Sequence, residues 1–101
     1  MDIIHTKKYK GEEFKILGGT EKSQIGIMTI LPNEDSGPEE KHKGDQAIYI
    51  LEGKAEVELG EEKETLEEGD ALIIPAGAQH HIYNRGMETL FFVTFYAPPS
   101  Y

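Results

Sequence analysis

Glycine and proline divide this chain into short segments, and this punctuation is the feature that most limits its fold. They recur at short intervals from Gly18 to Pro99, and the turns that they favour interrupt any long helix. No window carries a helical period over three turns. Several of the segments between them are rich in β-branched and aromatic residues, which favour strands. The sequence therefore predicts an all-β fold of many short strands, a sandwich or a barrel.

The predicted strands fall into two kinds. Residues 55–59 alternate apolar and acidic side chains, which is the pattern of a half-buried strand. Denser apolar runs predict the remaining strands, at 25–31, 46–51, 71–74 and 90–96. The Glu-rich stretch 61–68 lies between two glycines, and we predict a hairpin connection plus a short strand there.

Length and charge exclude several classes of protein. With 101 residues the chain fits one domain, 1–101. A formal net charge of −9 argues against a nucleic-acid partner and against an anionic membrane surface. The first residues have no apolar stretch of signal-peptide length, so we expect a cytoplasmic protein. Because the chain has no cysteine, any metal ion must be bound by nitrogen and oxygen donors.

The segment 69–84, GDALIIPAGAQHHIYN, contains a candidate metal ligand. Glycine and aspartate at its start favour a turn, a buried strand follows, and Pro75 and Gly77 favour a second turn. His80 then begins the next strand. The start of a strand is a rigid place for a ligand.

The segment 37–53, GPEEKHKGDQAIYILEG, adds three further candidates. Glu40 and His42 are two residues apart, so in an extended chain both side chains leave the same face. Gln46 lies four residues further on and shares that face if the intervening residues turn without a bulge. Together with His80 from a neighbouring strand, these side chains could form a mixed oxygen and nitrogen site.

These two segments resemble the two conserved motifs of the cupin superfamily. The segment 69–84 agrees with the pattern G-x5-P-x-G-x2-H-x3-N at every defined position. The segment 37–53 is similar to G-x5-H-x-H-x3-4-E-x6-G, but Glu40 stands at the first His and Gln46 at the Glu. Its E-x-H-x3-Q pattern and the Ala-Pro-Pro at 97–99 resemble a subgroup of small cupins often labelled mannose-6-phosphate isomerase-like. The resemblance covers roughly residues 25–99.

The resemblance implies both a fold and a cofactor. The fold would be a cupin double-stranded β-helix, an RmlC-like, jelly-roll-like barrel of six to eight strands. The cofactor would be one divalent metal ion per chain, Fe, Mn, Ni or Zn, held by Glu40, His42, Gln46 and His80.

Each of these ligands has a plainer alternative that the residues alone leave open. His80 could be a hydrogen-bonded histidine in the barrel mouth, and His42 an exposed loop residue between two lysines. Glu40 ends an acidic run that could be a solvated loop. Gln46 could orient His42 through a hydrogen bond instead of binding the metal.

The residues beside the motifs are predicted to have structural roles. His81 and Tyr83 are out of phase with His80, so they should face away from the metal, and Asn84 should belong to a turn. The runs 48–51 and 90–93 are apolar on both faces although a small barrel has one interior. This excess predicts a homodimer, as the family resemblance also implies.

Fold resemblance alone does not choose a reaction. One hypothesis is a metal-dependent enzyme, a dioxygenase or an isomerase, acting on a small organic metabolite. The other is a non-catalytic module that binds a small ligand or a structural metal. Arg85 is the only arginine in the chain, which argues against a phosphorylated sugar as the substrate.

Overall fold

A computed structural model describes residues 1–38 and 41–101 of the chain. The elements in this part are a 3-10 helix (Thr6–Tyr9), β1 (Phe14–Gly19), β2 (Gln24–Ile30), β3 (Asp45–Glu52), β4 (Ala55–Leu59), β5 (Glu62–Leu66), β6 (Ala71–Ile74), β7 (His80–Tyr83) and β8 (Leu90–Ala97). The predicted all-β class is confirmed. Sequence analysis predicted neither β1 nor the 3-10 helix.

The strands form two antiparallel sheets. Five of them lie in the order β1-β2-β8-β3-β6, and the other three in the order β5-β4-β7. Alternate residues of each strand face the space between the sheets, as the inward positions Gln46, Ile48 and Ile50 of β3 illustrate. The main apolar core takes residues from both sheets, among them Phe92 from β8 and Ile82 from β7. The core therefore lies between the two sheets.

The free edge of β7 is covered by the segment 33–36. Its Ser36 donates its backbone N–H to the Ile82 carbonyl (2.8 Å), and the Ser36 hydroxyl accepts the Ile82 N–H (3.0 Å). The Asn84 N–H donates to the Glu34 carbonyl (2.9 Å). These bonds hold the chain that approaches the first motif alongside the strand that carries His80.

The outer face of the five-stranded sheet is apolar and only partly covered. A second cluster, centred on Ile27, Phe91 and Val93, packs under Tyr9 of the 3-10 helix. Elsewhere on this face Tyr49, Ile73 and Phe95 remain 43%, 63% and 42% exposed. The two apolar faces predicted for these strands are therefore present, and one end of the outer face is open to solvent.

None of the helices in the described ranges is long and apolar enough to cross a bilayer. The cytoplasmic location expected from the sequence stays a prediction.

Candidate functional site

A cavity of about 290 Å³ opens between the two sheets, next to both motifs. Its walls carry a mixture of aromatic, apolar and hydroxyl groups. The lining residues are Glu13, Phe14, Met28, Ser36, Gln46, His80, Ile82, Phe92, Thr94, Tyr96 and Tyr101. Two of the four predicted ligands, Gln46 and His80, are thus in the cavity wall.

His80 is the first residue of β7, as predicted, and is only 6% exposed. Its Nδ1 lies 3.2 Å from the carbonyl oxygen of Ala78. Because a carbonyl can only accept, this contact places the ring proton on Nδ1. The Nε2 atom then keeps its lone pair, which is the state that a metal-binding imidazole needs.

Gln46 faces inward from β3 and is 4% exposed. Its Nε2 donates a hydrogen bond to Thr94 Oγ1 on β8 (3.0 Å), which fixes the plane of the amide. The Oε1 atom is buried and has no hydrogen-bond partner within residues 1–38 and 41–101. A buried oxygen without a partner is costly unless something else binds it. This amide oxygen is therefore available to a ligand or a metal ion.

His42 lies in the loop before β3, and its ring centroid is 5.2 Å from that of His80 and 5.0 Å from that of Tyr96. Two hydrogen bonds join this loop to the turn of the second motif. Gly77, at φ 78°, donates its N–H to the His42 carbonyl (2.8 Å), and the Ala76 N–H donates to Asp45 Oδ1 (3.0 Å). The two motifs therefore position their histidines jointly.

Glu40, the fourth predicted ligand, lies outside the described residues. Within the described ranges, no three His, Asp or Glu side chains lie together as a group that could hold a metal ion. What these ranges provide is a pair of imidazoles and the amide oxygen of Gln46. Nitrogen and oxygen donors of these types suit divalent first-row metals, so the residues present fit such an ion.

His81 and Tyr83 face the outside of the three-stranded sheet, and the prediction that they point away from the site is confirmed. Their rings stack with centroids 4.2 Å apart, and the Tyr83 hydroxyl lies 3.1 Å from His81 Nδ1. Asp35 Oδ1 lies 3.4 Å from His81 Nε2. The pKa of Asp35 is lowered, first by a hydrogen bond from the Gly37 backbone and then by His81. This outer pair helps hold the segment 33–36 on β7.

Asn84 is fully buried and organises the turn after β7. Its Nδ2 donates to the carbonyls of Ile30 and Glu88, both at 2.8 Å, and its Oδ1 accepts the Gly86 N–H at 3.0 Å. The predicted role in a turn is confirmed. The bond to Ile30, at the end of β2, also ties this turn to the five-stranded sheet.

Sequence analysis missed the aromatic wall of the cavity. Phe14, Tyr96 and Tyr101 come from β1, β8 and the segment after β8. The Tyr101 ring contacts those of Phe14 and Tyr96 at centroid distances of 4.9 and 5.1 Å. Tyr96 lies in the run 90–96, which was predicted as a strand and given no place in the site. The alternation along that strand, which turns Tyr96 inward, was the one signal that could have placed it in the cavity. Nothing in the local sequence around Tyr101 indicated a place in the cavity.

Known proteins show which family and which solved structures this chain resembles. A family model described as a cupin domain matches residues 26–96. A crystal structure of a Bacillus halodurans protein superposes with a TM-score of 0.89 at 26% identity, covering 99% of this chain and 83% of that one. An RmlC-like cupin from Methanocaldococcus jannaschii, described as a double-stranded β-helix, superposes with a TM-score of 0.78 at 22% identity, covering 84% of this chain and 78% of that one.

The chain belongs to the cupin family, and its two sheets form the double-stranded β-helix predicted from the motifs. The uncharacterized protein YrkC of Bacillus subtilis is 31% identical over 84 residues, which cover 77% of this chain. The match spans only 45% of the length of YrkC. The family is therefore shown, while the activity has to be argued from the site.

Proposed function

We propose that this cupin binds one divalent metal ion, Fe, Mn, Ni or Zn, through Glu40, His42, Gln46 and His80. The observation that carries the proposal is the buried Oε1 of Gln46, which has no hydrogen-bond partner in the described residues and lines the same cavity as His80. His42, whose ring lies 5.2 Å from that of His80, would add a second imidazole. Glu40 would supply the one carboxylate of the set.

A bound metal would act as a Lewis acid or as a redox centre for a small organic metabolite, in the manner of a dioxygenase or an isomerase. The cavity would bind the body of that metabolite. Its walls offer the rings of Phe14, Phe92 and Tyr96 and the hydroxyl of Ser36. None of the described lining residues is lysine or arginine. This composition favours an uncharged ligand over a phosphorylated sugar.

A second candidate function is a module that binds a small ligand without turnover. The cavity favours it because its described wall offers little for acid–base catalysis. The acidic and imidazole side chains there are Glu13, which is exposed, and His80, which is itself a proposed metal ligand. General acid–base catalysis needs a positioned group within hydrogen-bond reach of the reacting atom. In this candidate the metal would be structural or absent.

Metal uptake by the stripped protein tests the proposal. Titration calorimetry with Mn²⁺ and Ni²⁺, together with elemental analysis after gel filtration, should give one ion per chain. Acidification should release that ion, since a ligating imidazole must be deprotonated. Absence of uptake of Mn²⁺ and Ni²⁺, and in the same assay of Zn²⁺ and of Fe²⁺ under anaerobic conditions, would refute the metal proposal and leave the small-ligand candidate.

Chelation distinguishes the two roles of a bound metal. If the metal is structural, its removal should lower Tm strongly because the free energy of metal binding is then part of the folding free energy. If the metal is catalytic, the metal-free protein should keep most of its stability, since the apolar core between the sheets does not depend on the site. Scanning calorimetry with and without chelator makes the comparison.

We also propose that the exposed part of the outer sheet face forms a homodimer interface. Its side chains lie in two apolar rows that cross neighbouring strands. In one row Ala47 lies between Phe95 and Ile73, and in the other Tyr49 lies between Val93 and Ala71. Exposed apolar patches of this kind commonly mark protein interfaces. Light scattering should give twice the 11.3 kDa chain mass.

The variant Phe95→Lys should shift that mass to a single chain, since it places an unpaired charge in the interface. Met87→Lys is the matched control, because Met87 is 96% exposed and lies in the loop before β8, away from this face. A wild-type mass of one chain would contradict the dimer.

A further inference from the structure

We infer that Tyr101, held in place by Gln24, is a movable wall that determines which molecules reach the cavity. The ring of Tyr101 lies 4.9 Å from that of Phe14, 5.1 Å from that of Tyr96 and 5.8 Å from that of His42, measured between centroids. It therefore stands beside both the aromatic wall and one of the two site histidines. Tyr101 also lines the cavity.

Gln24 fastens the segment that carries this ring. Its Oε1 accepts the backbone N–H groups of Ser100 and Tyr101, both at 3.0 Å, and its Nε2 donates to the Tyr101 carbonyl at 2.5 Å. One side chain at the start of β2 thus makes three hydrogen bonds to a segment 77 residues away in sequence. We call this set of bonds the latch.

The latched segment is a weakly held part of the cavity wall. Residues 98–101 lie outside every strand, and Tyr101 is 56% exposed. By contrast, Gln46, Thr94 and Tyr96 belong to paired strands and are 1–4% exposed. Local opening starts where buried apolar contacts are few and the hydrogen bonds are open to solvent. Opening of this wall should therefore occur without disturbing the two sheets.

The base of the segment also contacts the loop of the first motif. A Cβ on Gly44 would lie only 2.5 Å from the Ala97 carbonyl oxygen, so only glycine allows the loop to approach the start of the segment so closely. His42 is two residues before Gly44. The loop that carries His42 and the segment that carries Tyr101 thus meet at this contact.

The closed wall limits the ligand to about the size of one substituted ring, because the cavity holds about 290 Å³, at the small end of ligand pockets. The aromatic rings of Phe14, Tyr96 and Tyr101 in the wall favour a flat, uncharged molecule. Opening of the latch would admit larger molecules to His80. This gating role does not depend on whether a metal is bound.

Chemical access to His80 in metal-free protein tests the inference. Diethyl pyrocarbonate acylates accessible imidazole nitrogens, and peptide mass spectrometry gives the rate at each histidine. His5 is exposed and serves as the reference within the same molecule. The variants Gln24→Ala and Tyr101→Ala should raise the rate at His80 relative to His5 by about fivefold or more, since each removes contacts that hold the wall closed.

Tyr101→Phe should raise the ratio less than Tyr101→Ala does, because it keeps the ring and the backbone bonds of the latch. Far-UV circular dichroism should be unchanged in all three variants, and Tm should fall by no more than about 8 °C, which separates opening of the wall from unfolding. An unchanged ratio in both Gln24→Ala and Tyr101→Ala would overturn the inference. A rise in Tyr101→Ala alone would overturn the role of Gln24.

Discussion

The variant His80→Ala should lower the affinity for a divalent metal by about 100-fold or more. Removing a residue that only supports a metal ligand already lowers metal affinity by up to about 100-fold. His80 offers a buried Nε2 whose lone pair is kept available by the Nδ1 contact with Ala78. Alanine removes this donor and leaves the fold, since the ring lies in the cavity wall rather than in the apolar core. Titration calorimetry with Ni²⁺ on stripped protein measures the change.

The neighbouring residue provides the control. His81→Ala removes an imidazole of the same chemistry from the opposite face of β7, where it contacts Tyr83 and Asp35. Its metal affinity should stay within about threefold of wild type, because side chains of successive strand residues point to opposite faces. Equal losses in the two variants would contradict the assignment of His80 as a ligand.

The second large effect concerns stability. Asn84→Ala should lower the free energy of unfolding by about 3 kcal/mol, because it removes three hydrogen bonds worth roughly 1 kcal/mol each and leaves the buried carbonyl of Ile30 without this donor. For a domain of this size, that loss corresponds to a decrease in Tm of roughly 15 °C. Urea unfolding followed by circular dichroism measures the difference.

Met87→Ala tests whether the loop tolerates substitution at a position that packs against nothing. Met87 lies three residues from Asn84 and is 96% exposed, so its replacement should change stability by less than about 0.5 kcal/mol. A loss below about 1 kcal/mol in Asn84→Ala would show that water replaces the side chain in these bonds.

The strands were predictable because their signal is local. Alternation in β4 predicts a half-buried strand, and the dense apolar run in β8 predicts a buried one. The strand at 71–74 was predicted correctly, but its predicted burial was wrong: β6 lies at the edge of the larger sheet, and of its residues only Ile74 is buried. β1 was missed because it is interrupted by a bulge between Ile16 and Gly18 and ends in two glycines, which weaken a strand pattern.

The site was predictable only as far as its two motifs. They placed His80 at a strand start, and this position is confirmed. Gln46, the other candidate ligand on a strand, lies on the inner face of β3. The bond from Gln46 to Thr94 and the latch between Gln24 and Tyr101 join residues 48 and 77 positions apart. Such contacts follow from the sheet order, which a local pattern does not determine. Metal binding by Glu40, His42, Gln46 and His80 stays a prediction.

The position of β8 has a consequence for how the molecule forms. β8 follows the other seven described strands in sequence, yet it lies in the middle of the larger sheet, between β2 and β3. Until residues 90–97 have been synthesised, β2 and β3 each present an unpaired edge, and such edges are sites of aggregation. Thr94 and Tyr96 come from this strand, so the cavity cannot exist before the larger sheet closes. During translation, a ligand can therefore bind in the cavity only after β8 has been synthesised.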